Sequence, residues 1–258
     1  MLRRPDGAEI HWEATGDGPL VVLSPIGYSP PSSYQPLLDG LAGACRLLTY
    51  DLRGTGASTG DGPYDIDTDA GDLAAVVEAA GGAATAVCMG DGCNRAIRAA
   101  AGHPGLFSLV LTSGAPAVGS GRVGGDSLAG SPGVLLAFFR LFESDYRAAV
   151  RSAVAAGSAS LTEEEVLARV DAITAYAPHS VALERLRAWI GVDDRGLAEA
   201  RALGDRLVVL HHDRNPWFSA EYNGILRGLL PDAEFAEIED GALARPDITV
   251  AEVLRRLG

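Results

Sequence analysis

The strongest constraint on how this 258-residue chain can fold is an alternation of two kinds of segment. Short apolar runs of strand length are separated by longer stretches patterned as amphipathic helices. Leu20-Val21-Val22-Leu23, Arg46-Leu47-Leu48-Thr49-Tyr50, Ala84-Thr85-Ala86-Val87-Cys88 and Ser108-Leu109-Val110-Leu111-Thr112 are four such runs. Continuous apolar character, rather than every second residue, is what a strand covered on both faces needs, and parallel sheets are covered that way. Between the runs, Tyr34 to Leu41 reads as a short helix. Asp67 opens an amphipathic helix with Leu73, Val76 and Val77 on one face and Gly81-Gly82 at its end, and Gly92 to about Ala101 reads as a third helix, stopped by His103-Pro104.

The rhythm then breaks. Residues 117–133 are rich in Gly, Ser and Pro, and from Val134 to about Ala202 only helical patterns occur, one of them opening at Thr162 as an N-cap followed by three glutamates. Strand signals resume at Arg206-Leu207-Val208-Val209-Leu210 and at Glu234-Phe235-Ala236-Glu237-Ile238, and the chain ends in a helix, Val250 to Leu257. Alternating β and α on both sides of a helical insertion implies an α/β fold with a mostly parallel central sheet flanked by helices. The expected division is a core of residues 1–117 and 204–258 with a helical cap or lid of residues 118–203.

Charge narrows the partners. There are 21 basic against 34 acidic residues, a net charge of −13, and the isoelectric point is near 4.7. A surface this acidic repels nucleic-acid phosphate and anionic lipid, so neither a nucleic acid nor a membrane is an expected partner. The opening residues Met1-Leu2-Arg3-Arg4-Pro5-Asp6 have no apolar run of signal-peptide type, and the three cysteines, Cys45, Cys88 and Cys93, do not form a disulfide framework, so a cytoplasmic location is expected. All 21 basic side chains are arginine. Without lysine, catalysis through a lysine Schiff base is excluded.

The order of elements and several local motifs resemble the α/β-hydrolase superfamily. Asp51-Leu52-Arg53-Gly54-Thr55-Gly56-Ala57-Ser58 is similar to the Asp-x-Arg-Gly-x-Gly-x-Ser turn of its cap-bearing members. Leu23-Ser24-Pro25-Ile26-Gly27 stands where these have Leu-His-Gly-x-Gly, and His211-His212-Asp213-Arg214-Asn215-Pro216 resembles their Gly-Asp-x-Asp-Pro turn. The resemblance implies the α/β-hydrolase fold, with the cap inserted after the sixth strand. It also implies a nucleophile, an acid and a histidine in that chain order, the nucleophile on a sharp strand-to-helix turn.

Those three positions are filled by residues that cannot do the chemistry. Registering Cys88-Met89-Gly90-Asp91-Gly92-Cys93 on the family's Gly-x-Ser-x-Gly-Gly places Gly90 at the nucleophile, and the spacing to His103-Pro104 agrees. The acid position falls on Asn215, which carries no charge. The stretch Ile238 to Pro246, where the histidine belongs, contains none, and Leu243 is the nearest equivalent. The resemblance therefore points to a divergent member with a degenerate catalytic triad, a pseudo-hydrolase.

What can survive is an oxyanion hole, since it is made of backbone; the N–H groups of Ile26 and Asp91 are expected to form it. Asp91 reads either as a cap on the following helix or as a displaced nucleophile or base. His212, at a strand end beside the acid turn, reads either as a satisfied buried histidine or as a base. His211 is expected to be structural. Ser24, Tyr28, Met89, Trp217 and His179 are the expected pocket residues. His211 and His212, adjacent on a strand, point to opposite faces and do not share an ion, so no metal and no cofactor is expected. An apolar roof, for example Val134 to Phe139, suggests a small apolar ligand; a homo-oligomer is possible. Three functions stay open. One is a non-hydrolytic enzyme of biosynthesis, catalysing a cyclisation, isomerisation, elimination or rearrangement. The others are a small-molecule-binding or interaction protein, and a hydrolase with relocated residues, Asp91 with His212.

Overall fold

A computed structural model of the chain describes residues 1–113, 132–157, 161–190, 195–212, 220–238 and 246–257. A small hairpin of β1 (Leu2–Arg3) and β2 (Glu9–Ile10) stands apart from a seven-stranded sheet. The strands of that sheet are β3 (Trp12–Thr15), β4 (Leu20–Ser24), β5 (Arg46–Tyr50), β6 (Ala84–Met89), β7 (Phe107–Ser113), β8 (Leu207–His212) and β9 (Glu234–Ile238), in the spatial order β3-β5-β4-β6-β7-β8-β9. Only β3 runs antiparallel to its neighbour. The chain from Glu9 to Thr15 is divided at His11 between the hairpin and the sheet, so the strand that precedes the cap is the seventh in chain order rather than the expected sixth.

Every residue of β6 is buried, which explains its uninterrupted apolar sequence. Successive side chains serve opposite layers, because a strand alternates faces. Val22, Ala86, Cys88 and Val209 pack under α2 (Ile66–Ala79), α3 (Gly92–Gly102), α8 (Arg195–Leu203) and α9 (Ala220–Leu229). Val21, Leu23, Val87, Leu111 and Val208 pack under α1 (Gln35–Leu41) and α10 (Pro246–Leu257). The helices between β7 and α8 are α4 (Pro132–Ser144), α5 (Tyr146–Gly157), α6 (Glu163–Tyr176) and α7 (His179–Ile190). They bury a core of their own around Phe142, Val150, Val170, Ile173 and Leu186. Thr162 caps α6 with the reciprocal Thr162–Glu165 bonds of a capping box. The expected cap segment thus holds two kinds of helix. α4 to α7 share one cluster, whereas Ala200 and Leu203 of α8 belong to the core beneath the sheet. Among the described residues no helix is long and apolar enough to cross a membrane, and all three cysteines are buried and free.

The Asp51–Ser58 turn locks this end of the core. Arg53 is buried and forks onto Asp72 of α2, Nε to Oδ2 and Nη2 to Oδ1, both at 3.0 Å. Arg4 from the hairpin donates to the same carboxylate at 2.8 Å. Within the turn, Ala57 N–H donates to Asp51 Oδ2 at 2.9 Å and Ser58 Oγ to the Asp51 carbonyl at 2.7 Å. A buried bidentate pair is strong because its geometry is fixed, and removing one partner strands the other charge. Asp72→Ala is therefore expected to destabilise the protein by about 3–5 kcal/mol at pH 7, measured as the shift of the urea unfolding midpoint. A loss below about 1 kcal/mol would show that the pair behaves as an exposed one.

Candidate functional site at the core–cap junction

Strand β6 turns sharply into α3, and Gly90 is the apex of that turn, with φ of +54°. A side chain there would be strained. It would also meet a neighbour, because a Cβ on Gly90 would lie 2.8 Å from Ile26 Cγ1. Gly92 is equally confined: a Cβ would lie 2.3 Å from the Ser24 carbonyl oxygen. This near-contact of α3 with the end of β4 is why small residues flank the turn.

Asp91 lies at the N-cap of α3, but its side chain accepts no backbone N–H of that helix. Its carboxylate reaches across to the Ile26–Gly27 loop instead. Oδ1 accepts from Gly27 N–H at 2.9 Å, and Oδ2 accepts from Arg95 Nη2 at 3.0 Å. Ile26 N–H, expected in an oxyanion hole, donates to the Tyr34 hydroxyl at 3.1 Å. That amide is thus engaged by a buried phenol, and the next one by a carboxylate. Burial pushes the Asp91 carboxyl above its ordinary value, and Arg95 and the Gly27 amide only partly oppose this.

Arg95 is the residue that the sequence reading missed. It lies on α3, 2% exposed, and its Nη1 donates to Ser24 Oγ at 3.1 Å and to the Pro25 carbonyl at 3.0 Å. A second buried arginine, Arg185, comes down from cap helix α7. It forks onto Asp69 of α2, Nε to Oδ2 at 2.7 Å and Nη2 to Oδ1 at 2.9 Å, and Nη2 also reaches the Arg53 carbonyl at 2.7 Å. Arg95 Nε lies 3.7 Å from Asp69 Oδ2. Two guanidiniums and two carboxylates therefore interlock where β4, α2, α3 and α7 converge. They line a narrow, partly open pocket together with Tyr64, Ile66, Ala188 and Trp189. The Arg185 guanidinium also sits over the Tyr64 ring, 5.2 Å from its centroid.

Ser24, Tyr28, Met89 and His179, expected as pocket residues, do not line this particular pocket. Ser24 is fully buried and donates to the Gly92 carbonyl at 3.0 Å. Met89 faces the α1/α10 layer rather than the pocket, as strand alternation dictates. Tyr28 packs on Phe142 of the cap, ring centroids 5.4 Å apart, and burial followed by the nearby Asp91 charge pushes its phenol upward. His179 is engaged within the cap. Its Nε2 donates to the Phe142 carbonyl at 2.7 Å, and its ring stacks on Tyr146 at 5.1 Å. His211 is buried with Nδ1 against Asn223 Nδ2, a structural pairing. Asn215, Trp217 and Leu243, and the side chain of His212, lie outside the described residues. Among the described residues no three His, Cys, Asp or Glu side chains gather as a metal site would require.

The Arg185–Asp69 pair ties the cap to the core and has a definite pH signature. Burial alone would raise the Asp69 carboxyl, but Arg185, Arg95 and Arg53 hold it below its ordinary 3.8. A depressed carboxyl contributes stability above its unfolded value and loses it as pH falls through the lower folded one. Asp69→Ala is expected to cost about 3–5 kcal/mol at pH 7, with the gap to the parent protein closing only below pH 3.8. Thermal unfolding followed from pH 7 down into acid reads this directly. A gap that closes near pH 6 would assign the effect to another group.

No family model matches the sequence, and no curated protein matches it. Solved structures do. A bromoperoxidase from Bacillus anthracis superposes with a TM-score of 0.79 at 20% identity, covering 97% of this chain and 94% of its own. An esterase from Exiguobacterium antarcticum gives 0.83 at 17% identity, covering 98% and 97%. An enol-lactonase from Burkholderia xenovorans LB400 gives 0.75 at 20% identity, covering 96% of each chain. With the parallel sheet, the turn at Gly90 and the helical insertion all in place, these likenesses over nearly the full length identify the architecture: the chain has the α/β-hydrolase fold.

Proposed function

We propose that this α/β-hydrolase-fold protein does not hydrolyse its ligand through a covalent intermediate, and that it holds a small molecule non-covalently in the pocket between core and cap. One observation carries this reading. The apex of the turn, where a nucleophile would project, is Gly90, and the volume its side chain would need is taken by Ile26. The engagement of Ile26 N–H by Tyr34 and of Gly27 N–H by Asp91 supports the same view. A site built for acyl transfer keeps such donors open toward a developing oxyanion. Tyr64, Ile66, Ala188 and Trp189 offer an apolar wall for the body of the ligand.

A catalytic form of this reading is favoured by Asp91. A buried carboxyl raised above its ordinary value, on the wall of a pocket, is suited to move a proton, as an isomerisation or elimination requires. In that form Asp91 is the base and no bond to the protein is made.

The test uses p-nitrophenyl esters and acyl thioesters of several chain lengths, with mass spectrometry of the purified protein for a retained small molecule. The expected outcome is no burst, no steady turnover and a retained or added ligand that leaves unchanged. Turnover that vanishes in both Asp91→Ala and His212→Ala would replace this reading with a relocated hydrolase. Gly90→Ser, which supplies the missing hydroxyl, is expected to lose about 1–3 kcal/mol of stability and to gain no esterase activity. Gly90→Ser with full stability and an acyl-enzyme burst would overturn the steric argument.

A further inference from the structure

From Asp51 to Asp65 the chain forms neither helix nor strand. A segment without a ladder of its own takes its shape from what grips it on either side. On one side is the N-terminal hairpin. Arg53 Nη1 donates to Asp6, and Arg4 Nε donates at 2.8 Å to Asp72, the carboxylate that Arg53 forks. Thr59 N–H donates to the Glu9 carbonyl at 2.9 Å, Glu9 N–H to Thr59 Oγ1 at 3.2 Å, and His11 N–H to Ser58 Oγ at 2.8 Å. On the other side is the cap. Arg185 Nη2 of α7 donates to the Arg53 carbonyl at 2.7 Å, and its guanidinium lies over the Tyr64 ring. Gly56 N–H donates to the carbonyl of Tyr176, the last residue of α6, at 3.0 Å. Gly56 has a φ of +53°, and a Cβ there would lie 2.6 Å from Tyr176 Cε2. Hairpin and cap therefore hold the same loop, and they share Arg53: its side chain goes to the hairpin and its carbonyl to the cap.

We propose that the N-terminal hairpin is a strap on the cap: by fixing the Asp51–Asp65 loop from outside, it keeps α6 and α7 seated on the core. This goes beyond the reading above and stands whether or not the junction binds a small molecule. The coupling follows from the geometry. Without the Asp6 carboxylate, Arg53 Nη1 is left with the Gly62 carbonyl at 3.5 Å, the outer limit of a hydrogen bond. Arg53 then shifts on Asp72, its carbonyl moves with it, and Arg185 loses its backbone acceptor while keeping Asp69. The result is a looser cap rather than a detached one. The cap can respond as a unit, because α4 to α7 bury a cluster of their own. The outer end of the strap is accessible: the Asp6 side chain is 50% exposed, whereas Arg53 and Arg185 are buried.

Amide hydrogen exchange of the full chain, resolved by region, tests this with changes made only in the hairpin. Asp6→Asn is expected to speed exchange in α7 and at the Gly56 amide by about threefold or more, with β6 and α3 unchanged. Arg4→Gln, which takes the second hairpin side chain from the cluster, is expected to act on the same amides. Arg3→Gln removes a neighbouring charge that makes none of these contacts, and is expected to leave α7 as it was. Arg185→Lys keeps the charge facing Asp69 but loses the fork that reaches the Arg53 carbonyl. In that background Asp6→Asn is expected to add no further exchange in α7, because coupled residues are not additive. Faster exchange confined to the hairpin and the loop would overturn the proposal. So would an equal acceleration in β6 and α3, which reports global stability, or an equal effect of Arg3→Gln. A full effect of Asp6→Asn in the Arg185→Lys background would show that the hairpin and the cap are independent.

Discussion

The site depends on a buried cluster of four charges: Asp69 on α2, Asp91 and Arg95 at the start of α3, and Arg185 on cap helix α7. Taking ions out of water costs several kcal/mol each, and the cost is recovered only where geometry is tight and the remaining lone pairs and protons find partners. Each carboxylate here meets that condition, with Asp69 forked by Arg185 and Asp91 split between Arg95 and a backbone amide. The arrangement also dictates position. Four elements distant in sequence must stay in register for the pairs to hold, so the pocket between them is shaped as much by charge as by apolar packing. The cap is hooked twice at this point, through Asp69 and through the Arg53 carbonyl, and Arg53 is itself fixed on Asp72. A continuous chain of ion pairs and one backbone hydrogen bond thus runs from the small hairpin through the Asp51–Ser58 turn to the roof of the pocket.

Much of the architecture was legible because it rests on periodicity. Parallel strands must be apolar on both faces, and β4 and β6 are written that way. The position of Gly90 was legible because two independent spacings, the flanking small residues and His103-Pro104, agreed; His103 is exposed at the end of α3. The helix opening at Thr162 was legible because capping is a local interaction between residues three apart. The cap boundary was harder. α8 follows a long helical stretch without a strand to mark the change, and only its packing shows that Ala200 and Leu203 join the core.

The ion cluster was not read, although signals for it exist. Charged side chains are usually solvated, so Arg95 and Arg185 invite no comment on their own. Yet Asp91 and Arg95 stand four apart, a spacing that pairs side chains on a helix. On α7 the buried positions Val181, Ala182, Arg185 and Leu186 form one stripe. An arginine in the middle of an apolar stripe is an anomaly that periodicity alone can flag. What the sequence could not supply is the partner, since Asp69 lies 116 positions away from Arg185. His179, expected only as a pocket residue, has a ring that closes α4 against α5 and α7 through the Phe142 carbonyl and Tyr146, contacts that no local spacing announces.

The Gly90 turn and the charge cluster are better understood as one arrangement than as two. Gly27 stands between them: a Cβ there would lie 2.7 Å from Asp91 Oδ2 and 2.8 Å from Arg185 Cδ. The absence of that side chain lets a carboxylate from α3 and an arginine from α7 meet over the loop. Next to it, Ile26 fills the space that a residue larger than glycine at position 90 would need, and its own amide is turned to Tyr34. A serine at 90 would press on Ile26. Displacing Ile26 would disturb the loop whose next amide holds Asp91, and releasing Asp91 would take a carboxylate partner from the buried Arg95. The Gly90 turn, the Ile26–Gly27 loop and the ion cluster are thus coupled through direct contacts, and a change at one is felt by the others.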